Sequence, residues 1–157
     1  MDVRVELVPA RVTVPLRQRV LRPHQTTLDA VLPGENDPGS AHIAAITGSG
    51  EVVATAVLIR EPFRLMPERR DAWRLRGMAT EEGRRGQGVG GRVLRYGIDY
   101  VASNGGGLLW CHARIPAQGF YQRAGFSTIG EPWTYPETGP HVAMWVEVPA
   151  AEAAATG

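Results

Sequence analysis

Arg84-Arg85-Gly86-Gln87-Gly88-Val89-Gly90-Gly91 gathers four glycines and two arginines into eight residues, directly ahead of an amphipathic helical pattern. Glycine has no side chain to hold a ligand away, so such a loop can bring bare backbone N–H groups close to a phosphate. The helix that follows adds its unpaired first-turn N–H groups and the positive end of its dipole. Arginines at the rim can reach phosphate oxygens. The stretch therefore points to a binding site for a phosphorylated ligand or cofactor on a strand-loop-helix unit.

The flanks supply that unit. Residues 73–80 read as a strand interrupted by Gly77, and an interior strand glycine often marks a bulge or a close backbone approach by a ligand. Residues 89–103 carry Val89, Val93, Leu94, Gly97, Ile98 and Val101 on one helical stripe, stopped by Asn104-Gly105-Gly106-Gly107. Residues 108–112 form a short buried strand, and residues 117–124 a short helix closed by Gly125. The last strands are residues 126–129 and 141–148, joined by a long link that contains Pro132, Pro136 and Pro140.

Toward the N-terminus, residues 3–8 alternate as a strand with Val3, Val5 and Leu7 on one face. Thr13 is placed to cap a helix over residues 14–21, with Pro15 in its first turn and Leu16, Val20 and Leu21 on its apolar side. Pro23 ends it, and residues 23–40 read as a long loop. Thr47-Gly48-Ser49-Gly50 is a hairpin turn between strands 41–46 and 51–60, the second of them central in character. A surface loop, 61–71, follows. The order is β-α-βββ-α-β-α-ββ, an α/β (α+β) arrangement without repeat or linker. The expectation is one domain over residues 1–148 and a frayed alanine-rich tail, 149–157.

A 43% hydrophobic content suits a domain with a buried core, and a net charge of +1 argues against nucleic acid or a membrane surface as the main partner. All 17 basic residues are arginine, a compositional bias rather than a functional mark. Cys111 is the single cysteine, which excludes an internal disulfide and fits a reducing compartment. No apolar run approaches the ~20 residues of a membrane span, and the acidic, alternating N-terminus does not read as a signal peptide. A cytoplasmic location is expected.

Two phosphate-binding classes fail on the residues. A Walker loop needs Gly-Lys-Ser/Thr, and the chain has no lysine. A dinucleotide fingerprint needs an acid ~20 residues on from its glycines; Gly86, Gly88 and Gly91 have the glycine spacing, but the next strand ends at Cys111-His112 without an acid. No His/Cys/Asp/Glu cluster has metal-ligand spacing, so no metal is expected. A Cys111–His112 nucleophile is disfavoured because neighbouring strand residues point to opposite faces.

The surviving pattern resembles the GCN5-related N-acetyltransferase (GNAT) superfamily. Arg85-Gly86-Gln87-Gly88-Val89-Gly90 is similar to its Arg/Gln-x-x-Gly-x-Gly/Ala loop. Leu75-Arg76-Gly77-Met78-Ala79-Thr80 occupies the place of its central strand, and Phe120-Tyr121-Gln122-Arg123-Ala124-Gly125-Phe126 looks like its Phe-Tyr-x-x-x-Gly-Phe segment. Gly139-Pro140-His141-Val142-Ala143-Met144 is similar to the closing strand of many bacterial members. The resemblance covers roughly residues 3–148. It implies a mixed, mostly antiparallel sheet with two splayed parallel strands and flanking helices. The implied activity is transfer of an acetyl group from acetyl-CoA to a primary amine on a small molecule or peptide. The alternative on the same fold is a noncatalytic acyl-CoA sensor or interaction module. A homodimer is common among relatives, though no residue here argues for it.

By that resemblance, backbone groups of Met78, Ala79 and Thr80 pair with the pantetheine arm as an added strand would. The amides of Gly86, Gln87, Gly88, Val89, Gly90 and Gly91 hold the pyrophosphate, with Arg84 or Arg85 at the rim. An N–H near Met78 or Ala79 polarises the thioester carbonyl. Tyr121 matches the family's general acid; a phenol with pKa ~10 keeps its proton at neutral pH and can give it to a departing thiolate. His141, at the start of the closing strand, is the first candidate for general base, ahead of His112 and His42. Each of these histidines equally suits a hydrogen-bonded structural role. Arg76 and Arg114 can clamp an anionic group on the acceptor or pair with acids of the chain, and Arg17, Arg19, Arg22 and His24 suit the acceptor mouth or a solvated helix face. Trp133 and Tyr135 either wall the acceptor pocket or cover the core. Two segments depart from the family pattern: the region before Ala41 lacks a strong second-helix pattern, and Ala113-Arg114-Ile115 replaces a frequent asparagine.

Overall fold

The computed structural model describes residues 2–21 and 37–151. The elements are β1 (Val3–Val8), α1 (Ala10–Leu21), β2 (Ala41–Thr47), β3 (Val52–Arg60), β4 (Ala72–Thr80), α2 (Val89–Ser103), β5 (Gly107–Arg114), α3 (Gln118–Arg123), β6 (Ser127–Tyr135) and β7 (Gly139–Val148). Single 3-10 turns, Glu82–Arg84 and Ile115–Ala117, precede α2 and α3. The seven strands bond in the order β1-β2-β3-β4-β5-β7-β6. β4 and β5 are the parallel pair, in register at Ala72↔Leu108, Trp73↔Leu109 and Arg74↔Trp110. The expected element order is present.

The chain folds as two compact units, one of Met1–Ile59 with Leu75–Gly97 and the other of Arg60–Arg74 with Ile98–Gly157. In the first, β1 and β3 flank β2 in antiparallel register. Every residue of β2 is buried, as is the run Val53–Ile59 of β3, which accounts for their unbroken apolar character. At the hairpin, Thr47 N–H donates to Glu51 O at 2.9 Å, and Gly50 takes a φ of +89° that closes the turn. The helix α2 buries Val89, Val93 and Leu94, and its Gly97 lets Ile43 Cδ1 come within 3.5 Å of where a Cβ would stand. Burying Val93 and Leu94 alone stabilises by roughly 1.5–3 kcal/mol each.

In the second unit β7 lies between β5 and β6, antiparallel to both. A core of Phe63, Ala72, Leu108, Trp110 and Ala143 takes Met66, Ile129, Trp133 and Trp145 against it. The end of α2 is a Schellman turn: Gly106 N–H donates to Val101 O at 2.8 Å and Gly105 N–H to Ala102 O at 3.3 Å, with Gly105 at φ +100°. Next to it, a Cβ on Gly106 would stand 2.4 Å from Val148 O, and one on Gly107 2.2 Å from Asp71 O. Three chain segments cross there with no room for a methyl group.

Two expectations are corrected. The first helix begins at Ala10, not Val14, and Thr13 is not its cap. The Thr13 hydroxyl instead donates back to Ala10 O at 2.9 Å inside the first turn, a local bond that Ser and Thr readily make. Pro15 thus sits mid-helix, where the bond it cannot give falls on exposed Arg11. The link after residue 129 is also strand: β6 continues to Tyr135 through a register shift between Ile129 and Trp133 that holds Pro132. An edge strand tolerates a proline at a bulge, because its outer N–H groups have no ladder partner to lose. Arg22, His24, most of the expected 23–40 loop and most of the tail lie outside the described residues.

Candidate active site

The glycine-rich loop is built from the end of β4. Glu81 N–H donates to Val53 O at 2.8 Å, Arg84 N–H to Glu81 O at 2.9 Å, and Gln87 N–H to Arg84 O at 3.4 Å. Gly86 and Gly88 then take φ values of +85° and +80°, which only glycine adopts at little cost. A Cβ on Gly86, Gly88 or Gly91 would meet nothing within 4 Å, so open space lies over the loop. Gly88 O accepts the first helical bond from Arg92 N–H at 3.1 Å, which makes Gly88 the N-cap of α2. A glycine cap has no side-chain oxygen to offer, and the first turn carries no acid. The first-turn N–H groups of a helix have no intrahelical acceptor, and the glycine before Val89 offers them no side-chain oxygen. A loop of this shape suits a diphosphate. Around it, Arg85 Nε donates to Thr80 O at 3.4 Å, and Arg19 pairs with Glu81 at 3.3 Å. Arg84 and Arg76 are half-buried and engaged, and Arg17 is buried and engaged.

Upstream in β4, Gly77 has a φ of +58°, and the Thr55 hydroxyl donates to its carbonyl at 2.9 Å. A Cβ on Gly77 would stand 2.7 Å from Arg17 Cδ and 3.2 Å from Val57 Cγ2. Gly77 thus breaks the strand conformation, and the group packed closest over it is a buried arginine of α1. Sequence reasoning put Arg17 on a solvated or acceptor-facing side; its exposure is 3%. His42 is likewise buried within β2, opposite Val8 and Val57, and has a partner of its own.

In the second unit, Tyr121 stands on α3 with 6% exposure, its ring against Phe120 and Phe126. Gly125 at φ +99° turns the chain so that Phe126 N–H returns to Tyr121 O at 3.1 Å, which explains the Phe-Tyr-x-x-x-Gly-Phe spacing. Burial, with a smaller contribution from nearby Cys111, holds the phenol pKa well above 10. Burial also pushes the Cys111 thiol up to about 12. A thiol so held is a poor nucleophile at neutral pH.

His112 and His141 share an aromatic cluster. The centroid of the Trp133 ring lies 4.8 Å from that of His112 and 6.0 Å from that of His141, and the Tyr135 centroid lies 4.8 Å from that of His141. His141 is buried and bonds through Nδ1 to Gly139 O at 2.8 Å. A carbonyl only accepts, so Nδ1 carries a proton and Nε2 is the basic nitrogen of the neutral ring. His112 is held the other way: Arg74 Nη2 donates to its Nδ1 at 3.2 Å. Arg74 is fixed in turn by Glu61 at 3.0 Å and lies over Trp110. Arg114 ends β5 opposite His141 and is engaged. The Glu61–Arg74–His112 chain has no sequence signature, since Glu61 lies in a loop with no pattern. Among the described residues no group of three His, Cys, Asp or Glu side chains could hold a metal ion, and no helix is long and apolar enough to cross a membrane.

The profile of the acetyltransferase (GNAT) family matches residues 14–126, well over half of the chain. The chain belongs to the GNAT acetyltransferase family. This GNAT protein is 32% identical over 141 residues to an uncharacterized N-acetyltransferase, YitI, of Bacillus subtilis (strain 168), covering 90% of this chain and 93% of that one. Its fold is shared with a putative N-acetyltransferase from Lactobacillus plantarum at TM-score 0.74 and 20% identity, over 94% of this chain and 99% of the other. An aminoglycoside 6'-N-acetyltransferase complexed with coenzyme A has the same fold at TM-score 0.72 and 15% identity, over 96% of this chain and 99% of that chain. The GNAT protein is thus an acyl-CoA-dependent acetyltransferase with a seven-stranded mixed sheet.

Proposed function

We propose that this enzyme transfers acetyl from acetyl-CoA to a primary amine of a small molecule or peptide. The observation that carries the proposal is the glycine loop: two left-handed glycines under open space, running into a helix whose first turn carries no acid. When bound, the cofactor supplies the activated acetyl thioester. The amides of residues 86–91 and the Arg84 and Arg85 guanidiniums hold its pyrophosphate. Met78, Ala79 and Thr80 offer strand-edge backbone groups to the pantetheine arm, and a backbone N–H there stabilises negative charge on the carbonyl oxygen. His141 Nε2 takes the proton that the amine loses as its nitrogen bonds to the acetyl carbon. Tyr121 returns a proton to the sulfur as the C–S bond breaks, and the raised phenol pKa keeps that proton available. Arg76, Arg114, His42 and His112 remain the candidates for contacts with the acceptor.

The experiment is release of free thiol from acetyl-CoA across a panel of small amines and peptide N-termini, with the acetylated product identified by mass. Turnover with at least one class supports the proposal. Tight acetyl-CoA binding with no turnover over a broad panel would sink it in favour of a sensor.

A further inference from the structure

The irregularity at Gly77 is held from two sides, and the holding groups are polar and specific. A strand carbonyl ordinarily points along the ladder at a neighbouring N–H. At φ +58° Gly77 departs from strand backbone, and the hydroxyl of fully buried Thr55, on β3, donates to its carbonyl at 2.9 Å. Arg17, buried on α1, lays its Cδ over the Gly77 Cα so closely that not even a methyl group would fit. The chain is back against β3 by Glu81, whose N–H reaches Val53 O. The irregularity is therefore local to Gly77, and the carbonyl that Thr55 holds belongs to the peptide between Gly77 and Met78.

That peptide is trans, so its N–H and C=O point in opposite directions. Fixing the Gly77 carbonyl on Thr55 fixes the Met78 N–H away from Thr55. A hydrogen bond to the carbonyl also polarises the amide and strengthens its N–H as a donor. We infer that Thr55 is a positioning residue: through the Gly77–Met78 peptide it aims the Met78 N–H at the thioester carbonyl oxygen. This rests on the proposal that a β4 N–H serves that oxygen, and it names which N–H and what orients it.

The test reads the bound thioester directly and needs no acceptor. The full chain is loaded with acetyl-CoA carrying carbon-13 at the carbonyl, and the carbonyl stretch is recorded by difference infrared spectroscopy. The wild type and Thr55→Ser, which keeps the hydroxyl, are expected to show the band below its position in water. Thr55→Val is expected to return it toward that position while coenzyme A binds within twofold of wild type. Thr55→Ala gives the same comparison should the valine variant not fold. With an amine substrate, kcat should fall by about tenfold to a hundredfold, short of the ~10²–10³ cost of removing such a donor outright, with KM for acetyl-CoA little changed. A band that stays shifted without the hydroxyl would overturn the role of Thr55 and leave the β4 donor intact. A wild-type band at its aqueous position would overturn the β4 donor itself.

Discussion

His112 and His141 pack against the same indole, Trp133, yet are held in opposite tautomers. Arg74 donates into Nδ1 of His112, whereas Nδ1 of His141 gives its proton to the Gly139 carbonyl. Nitrogen-detected NMR of the imidazoles should show a protonated Nε2 on neutral His112 and a protonated Nδ1 on neutral His141. The same difference separates their chemistry. His141→Gln should lower kcat by on the order of 10²-fold, the lower end for loss of a general base, whereas coenzyme A affinity stays put. His112→Gln should cost only severalfold. Equal losses at both positions would remove His141 from the role of base.

Tyr121→Phe should reduce the chemical step by ~10²-fold with acetyl-CoA affinity nearly unchanged, as expected when a proton donor used only in the transition state is lost. Burial raises the phenol pKa well above 10, so the wild-type rate should not fall through ionisation of Tyr121 anywhere below pH 10. A pH–rate profile of wild type and variant checks both statements.

Gly88→Val should fold, because a Cβ there meets nothing within 4 Å. The left-handed φ makes it cost ~1–2 kcal/mol of stability. Its isopropyl group would fill the space proposed for the pyrophosphate, so calorimetric titration with coenzyme A should show at least a tenfold loss. Gly83→Val also meets open space but has no positive φ, and it should bind coenzyme A as wild type does.

Gly77→Ala should be costlier to the fold. The left-handed conformation and the 2.7 Å approach of Arg17 Cδ together predict at least ~2 kcal/mol, or roughly a 4–8 °C lower Tm. Thermal unfolding measures it.

Stability should fall in alkali. The Cys111 thiol goes from an ordinary 9.0 to about 12 in the folded protein. Because the folded value is raised, the unfolded chain loses this proton first. The stabilisation is complete below pH 9 and is lost progressively up to pH 12, by about 4 kcal/mol over three pH units. Tyr121 adds to the loss in the same direction. Denaturant unfolding at pH 8 and 11 should show a smaller difference for Cys111→Ala than for wild type. For the same reason, iodoacetamide should leave the folded protein unmodified at pH 8.

What was legible in the sequence was local. The Thr47–Gly50 turn, the α2 stripe with its triple-glycine stop, and the glycine-rich loop ahead of α2 each encode their geometry within a dozen residues, and each is present. Errors arose where a side chain had two local options or where strand position decided. Thr13 can cap a helix or bond back into one, and the residue types do not distinguish the two. Pro132 looks like a strand breaker until β6 is known to be an edge. The site divided in the same way. Tyr121 and the glycines announce themselves by spacing. Arg74, by contrast, works through Glu61 and His112, 13 and 38 residues away, and Thr55 meets Gly77 across 22. Contacts of that kind leave no periodic trace.

The crossing at Gly106 and Gly107 has a practical use. Any side chain there collides with main chain rather than with atoms that can move aside. Alanine at position 107 should therefore yield a heat-labile enzyme whose glycine loop and Tyr121 are unaltered in sequence. In a living cell such an allele would switch the acetylation off by a temperature shift, so that whatever unmodified amine then builds up identifies the acceptor.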